Sequence, residues 1–311
     1  MKAAFVFSGQ GAQFVGMGKD LCAKSAAAAA VFEKADKALG WSVSDSCFNG
    51  PEAKLVESRH CQPAIFTMSV ACLEGFKAVH PQTCPLAVGG LSLGEFAALH
   101  AAGVFTFEDG LRLVAKRGEL MQVACAEAKG GMASVIDGDP DVIRTVCKEC
   151  DIDVANYNCP GQIVISGTEA GVQRAVEILK GKGARRVIPL KVAGAFHSRL
   201  MKKAEKAFEE FLATVPMSTP STKVVQNFVG TTVENVDQIR RNLVAQVSGS
   251  VRWEECVRAI LNTGADTVIE FGPGNVLTGL IRRIAPGTIT PNMGNAKSLE
   301  LEVEDGQKAQ G

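Results

Sequence analysis

The sequence predicts an α/β fold: a parallel sheet with a smaller α+β unit set into it. Three observations carry that prediction. Strand and helix patterns alternate along most of the 311 residues. The apolar runs at 3–8 and 86–90 are short, lack alternation and end in glycine-rich turns, as strands buried on both faces do. Between residues 130 and 191 the order β-α-β-β-α-β is complete within itself.

The elements follow in order. The apolar run at the start stops at Ser8, too short for the apolar core of a signal peptide, so it reads as a first strand. Helical patterns follow at 17–39 and 62–79. The second places Ile65, Met68, Ala71, Cys72 and Gly75 on one face. After the strand at 86–90 come helices at 94–102 and 107–128. Gly130-Gly131 then opens the smaller unit, with strands at 132–136, 152–155, 162–166 and 185–190 and helices at 140–149 and 169–180. That is the split βαβ, ferredoxin-like order. The α/β pattern resumes with a helix at 198–213, a strand at 223–228, helices at 238–246 and 253–262, and a strand at 267–271 stopped by Gly272-Pro273-Gly274. The expected organisation is a large domain from 1–129 and 192–295, a small domain at 130–191, and a flexible tail at 296–311.

Composition narrows the function. The 33 basic and 33 acidic residues cancel, which argues against nucleic acid as the main ligand. A 46% hydrophobic content suits a large core and excludes disorder. No apolar stretch approaches the ~20 residues of a membrane span. The ten cysteines sit mostly in apolar company and read as reduced thiols, so a cytoplasmic protein, expected to be a monomer, follows. Cys147 and Cys150 have CxxC spacing, but no second pair or histidine cluster completes a metal site.

The sharpest local feature is Gly90-Leu91-Ser92-Leu93-Gly94, a GxSxG between a strand and a helix. In that context the glycines permit a tight turn that exposes the serine hydroxyl at a helix N-terminus, a nucleophile elbow. The amide of Leu93 then points where an oxyanion would form. The alternative is that Ser92 only caps the helix. A serine nucleophile needs a base, and the chain has four histidines. His100 lies mid-helix and reads as packing or surface. His197, in the small-residue loop Gly194-Ala195-Phe196-His197-Ser198, is either a base carried into a cleft or a structural histidine. No acid between Ser92 and His197 stands out as a triad partner, which weakens a lipase-type reading. The turn Gly9-Gln10-Gly11-Ala12-Gln13 is too short for a dinucleotide fingerprint.

Together these motifs resemble the malonyl-CoA:acyl carrier protein transacylases, the acyltransferase family of fatty acid and polyketide synthesis. The resemblance runs in order through Phe7 to Gln13, Gly90 to Glu95, Arg117 in Ala-Lys-Arg-Gly, Asn156 to Gly167, Gly194 to Ser198, Gln246 ahead of Arg252-Trp253, and Glu270 to Gly274. It covers about residues 3–285. Two positions depart: Leu91 stands where the family usually has His, and Ser8 where it has Pro. Leu91 adjoins the nucleophile, which puts acyl-enzyme hydrolysis in question.

The resemblance implies a hydrolase-like α/β domain with the small domain beside it and the site in the cleft between. It implies Ser92 as nucleophile, His197 as base, the carbonyl of Gln246 orienting His197, and the amides of Gln10 and Leu93 as oxyanion donors. Arg117 would grip the malonyl carboxylate, where composition alone reads a solvated helix charge. Phe196 would restrict the α-carbon of the acyl group. The substrates implied are malonyl-CoA and the phosphopantetheine thiol of acyl carrier protein, with no cofactor. Because carrier proteins are acidic, Lys180, Lys182, Arg185, Arg186, Lys202 and Lys203 are candidates for docking, or else ordinary solvated charges. Two alternatives stay open: a free-standing acyltransferase of a polyketide synthase, and a serine thioesterase or hydrolase.

Overall fold

The structure, a computed structural model, describes residues 1–300. Six strands form the main sheet: β1 (Ala3–Phe7), β2 (Ala87–Gly90), β7 (Lys223–Gln226), β8 (Thr231–Val233), β9 (Thr267–Phe271) and β10 (Asn292–Met293). Their order is β10-β9-β1-β2-β7-β8, parallel except for β8 against β7. β1 lies between β9 and β2, with every residue buried, which is why it reads as an unbroken apolar run. Its alternate side chains feed two cores. Phe5 and Phe7 point to one face, where Phe5 meets Phe76 and Phe271 edge-on. Ala4 and Val6 point to the other, packed with Trp253, Ile260 and Ile281.

A second sheet is antiparallel throughout, in the order β4 (Asp153–Cys159), β5 (Gln162–Thr168), β3 (Gly130–Ile136), β6 (Arg186–Pro189). The helices Pro140–Glu149 and Glu169–Gly181 cover one face, against Ala133, Val135, Ile163 and Ile165. Met132 and Val164 alternate to the opposite face and join the main core. Local chemistry sets the helix starts. Asp139 accepts two backbone N–H groups with Pro140 behind it, and Thr168 accepts from Gly171. Main chain ties β4 to the segment ahead of the helix Trp253–Leu261: Val251 N–H donates to the Ala155 carbonyl at 2.8 Å, and Tyr157 N–H to the Val251 carbonyl at 2.9 Å.

Several elements differ from the sequence reading. The helix expected at 17–39 is two, Lys19–Lys24 and Ala26–Leu39, because extended Ser25 ends one and caps the next through Ala28 N–H. The helix expected to open at 62 starts at Ser58 and carries Pro63 inside it. The strand expected at 223–228 stops at Gln226, and Asn227 turns toward β2. The Gly-Pro-Gly after β9 leads into an unanticipated helix, Val276–Ile284. Within the flexible tail expected at 296–311, residues 297–300 instead form a 3-10 turn, with Leu299 buried in the main core. Residues 301–311 lie outside the described residues.

Candidate active site

The turn between β2 and the helix Gly94–Ala101 is tightly fixed. Ser92 sits there with φ 51°, the left-handed region that a non-glycine residue occupies at a strain of about 1–3 kcal/mol. Its flanking glycines are obligatory: a Cβ on Gly94 would lie 2.1 Å from the Phe7 carbonyl oxygen, and one on Gly90 2.1 Å from that of Gly94. Asn227 holds the strained segment from β7. Its Oδ1 accepts from Ser92 N–H at 2.6 Å and its Nδ2 donates to the Gly90 carbonyl at 2.8 Å.

His197 comes from the loop after β6, also left-handed at φ 55°. The loop lies so close to the helix Phe107–Glu127 that a Cβ on Gly194 would overlap Cys125. His197 Nε2 is 2.7 Å from Ser92 Oγ, and Nδ1 is 2.8 Å from the Gln246 carbonyl oxygen. A carbonyl only accepts, so Nδ1 carries the hydrogen and Nε2 is free to take one from Ser92. Burial, reinforced by the charge on Arg117, pushes the imidazole down to about 4, against its bond to the Gln246 carbonyl. It is therefore neutral at pH 7. His100, by contrast, turns Nδ1 to the Phe105 carbonyl and stays outside the site.

Arg117 projects from the helix Phe107–Glu127 and is 1% exposed. Nη1 donates to Gln62 Oε1 at 2.9 Å; Nη2 donates to Ser92 Oγ at 3.0 Å and to Gln246 Oε1 at 2.8 Å. The guanidinium lies over the Phe96 ring at 5.6 Å. Its Nε is buried with no hydrogen-bond partner among the described residues. Burial pulls Arg117 down to about 10, with Glu95 pulling it back up, so it remains a cation at neutral pH. A buried cation whose hydrogen bonds all go to neutral groups is prepared for an anion.

The other expected residues fall as follows. Among the described residues, the backbone N–H groups of Gln10 and Leu93 make no hydrogen bond within the chain. The Gln10 side chain donates to Ser58 Oγ at 3.2 Å and accepts from Gln62 at 3.4 Å. Phe196 is buried in the main core beside His197. The six basic candidates are all exposed, and four are matched by acids: Lys180 with Glu177, Arg185 with Asp137, Lys202 with Glu205, Lys203 with Glu127. Of the six, Lys182 and Arg186 have no such partner among the described residues.

Sequence reasoning missed Gln62, Asn227 and the role of Glu95. Gln62 and Asn227 carry no local signal. Glu95 had one: an acid three residues past the serine, in the first turn of a helix whose only other polar side chain is His100.

Parallel sheet, serine, histidine and arginine together define the class, an enzyme of acyl transfer. The chain belongs to the acyl transferase family, whose domain model matches residues 4–292. It is 38% identical over 308 residues to the malonyl CoA-acyl carrier protein transacylase of Bacillus subtilis, covering 97% of this chain and 96% of that protein. Among solved structures it resembles the acyl-carrier-protein S-malonyltransferase of Bartonella henselae, with TM-score 0.92, 39% identity, and coverage of 96% and 98% of the two chains. It also resembles a malonyl-transacylase solved in complex with its type II PKS acyl carrier protein, with TM-score 0.92, 35% identity, and coverage of 96% and 98%.

Proposed function

We propose that this chain moves the malonyl group from malonyl-CoA to the phosphopantetheine thiol of acyl carrier protein, by way of a malonyl ester on Ser92. One observation carries the reading: base and buried cation converge on a single oxygen, with His197 Nε2 at 2.7 Å and Arg117 Nη2 at 3.0 Å from Ser92 Oγ. A hydrolase needs the base alone. A cation beside the nucleophile suits an acyl group short enough to carry a negative charge back to it.

The steps balance on these atoms. Ser92 Oγ attacks the thioester carbonyl carbon as its proton passes to His197 Nε2. The oxyanion is received by the N–H groups of Gln10 and Leu93. The C–S bond breaks, and CoA leaves as a thiol with the proton from His197. The carrier thiol then gives its proton to His197 and attacks the ester carbonyl, and Ser92 Oγ recovers the proton as it leaves. Arg117 binds the malonyl carboxylate with its planar fork. Phe196 limits the space at the acyl α-carbon.

In this reading the Ser92 turn is a nucleophile elbow in a hydrolase-like domain of residues 1–129 and 192–295, and residues 130–191 are an inserted ferredoxin-like domain. Lys182 and Arg186, the two docking candidates not matched by an acid, meet the acidic carrier together with the other four. The enzyme acts in the cytoplasm as a monomer and without a cofactor, supplying fatty acid synthesis. Intact-protein mass spectrometry after mixing with malonyl-CoA tests it: one malonyl adduct is expected, lost in Ser92→Ala together with up to ~10⁶-fold in turnover. An adduct that survives Ser92→Ala refutes the assignment.

A further inference from the structure

A carboxylate that no step of this reaction uses lies beneath both catalytic side chains. Glu95, fully buried in the first turn of the helix Gly94–Ala101, meets only donors. Its Oε1 accepts from Gln226 Nε2 at 2.9 Å. Its Oε2 accepts from Asn227 N–H at 2.8 Å and from Gln246 Nε2 at 3.2 Å. Gln226 cannot easily turn round, since its Oε1 already receives Asn242 Nδ2 at 2.9 Å. Three donors on two oxygens suit an ionised carboxylate, since a protonated one would find no acceptor among these partners for its own O–H. Burial pushes Glu95 up to about 7, against those bonds and the Arg117 charge. A charge kept in such a place calls for a reason.

The reason lies in where its partners lead. Asn227 runs on to the nucleophile, holding Ser92 N–H and the Gly90 carbonyl. Gln246 runs on to everything else. Its Nε2 also donates to the Ser92 carbonyl at 2.9 Å, its Oε1 receives Arg117, and its backbone carbonyl receives His197 Nδ1. The side-chain amide of Gln246 is thus a rigid link with Glu95 on its nitrogen and Arg117 on its oxygen. That link fixes the residue whose carbonyl aims the base.

We propose that Glu95 is a positioning residue, locking Ser92 through Asn227 and His197 through the side-chain amide of Gln246, in the place where a serine triad would set an acid directly on the histidine. The proposal rests on the assignment of Ser92 as nucleophile and His197 as base. It adds that the acid of the triad is not missing but lies one amide further back.

The test uses phenylmethylsulfonyl fluoride, which reports the reactivity of Ser92 without involving malonyl recognition. Labelling of the full chain is followed by intact mass in wild type, Glu95→Gln, Gln246→Ala and the double variant. Glu95→Gln keeps the shape but can accept with one oxygen only, so the labelling rate constant should fall about tenfold or more, while the end point stays at one label per chain. A merely structural role would lower the end point and leave the rate constant of the folded fraction alone. Gln246→Ala keeps the backbone carbonyl and removes the link, so it should fall similarly. The double variant should be no slower than the slower single one, as for residues acting as a unit. A wild-type rate in Glu95→Gln, a loss confined to the end point, or losses that multiply in the double variant overturns the proposal. Should Glu95→Gln fail to fold, a wild-type rate in Gln246→Ala overturns it alone. A wild type that labels in this pattern but takes no malonyl from malonyl-CoA supports the positioning role and refutes the proposed substrate.

Discussion

Two glutamates, Glu95 and Glu270, are equally buried and serve opposite ends. Both are fully inaccessible, and burial pushes both carboxyls above the ordinary range. Glu270, at the end of β9, turns to the start of the next helix and accepts Leu277 N–H at 3.1 Å and Thr278 N–H at 2.8 Å. It caps the helix Val276–Ile284 from outside, with its charge at the positive end of the dipole. Ser8 adds a hydroxyl to it at 3.4 Å. Glu95 sits inside the first turn of its own helix and caps nothing there, turning instead to Gln226, to the backbone N–H of Asn227 and to the side-chain amide of Gln246. A raised carboxyl therefore does not mark a catalytic one. What distinguishes the two is where their donors lead: those of Glu270 start a helix, whereas Asn227 and Gln246, held by Glu95, run on to Ser92 and His197.

The comparison can be pressed hardest at the cation that Glu95 faces. Arg117→Ala should cost about 30- to several-thousand-fold in kcat/KM for malonyl-CoA, the usual loss when one partner of a buried charged pair is removed. Acetyl-CoA should then become a relatively better donor. Arg117→Lys should recover only part of the loss, since the charge returns without the fork. The check is single-turnover acyl-enzyme formation from each thioester; equal losses for both would make Arg117 structural.

A smaller effect follows from His197. Its proton affinity is depressed to about 4, by burial first and by Arg117 second, so the neutral base persists well below the ordinary histidine range. Acylation, measured as kcat/KM against pH, should fall first as Glu95 takes a proton near 7 and again as His197 does near 4, and in Arg117→Ala both steps should move upward. The sign for stability is the same. Below the unfolded value of ~6.5 the unfolded chain takes a proton that the folded one refuses, so His197 favours folding above that pH and the contribution is lost as pH falls toward 4.

The smallest effect on chemistry should come from Glu270. Glu270→Gln leaves one helix N–H facing an amide nitrogen and should destabilise by ~1–3 kcal/mol in urea unfolding, with labelling of Ser92 unchanged. If it slowed labelling as Glu95→Gln does, the contrast between the two glutamates would collapse.

Much of this was legible because backbone necessity leaves local marks. Gly90 and Gly94 are needed where chain crosses chain, and Ser92 between them shows as a motif. The small sheet was readable because its strands are bounded by turns and its helices begin with capping residues, Asp139 and Thr168. The helix at 17–39 was drawn too long because Ser25 competes for its own backbone, which an apolar pattern does not register. The polar lattice was not legible. Gln62, Glu95 and Asn227 are residue types that ordinarily face water, and their partners lie 55, 132 and 135 positions away in the chain. Arg117 taken alone reads as a solvated helix charge until Gln62, Gln246 and Phe96 close around it.

The distance along the chain between the proposed nucleophile and base has a consequence in time. Ser92 and His197 are 105 residues apart, and the whole four-stranded sheet is threaded between them. The pairs inside that sheet include a tight hairpin, β4 to β5, that closes a short loop, whereas the serine–histidine contact closes a very long one. The small sheet can thus be complete while the imidazole is still elsewhere, whereas the main sheet, pairing β1 with β9 and β2 with β7, closes loops longer still. In a refolding chain, reactivity at Ser92 therefore reports the joining of segments distant in the chain and not the formation of the small sheet alone.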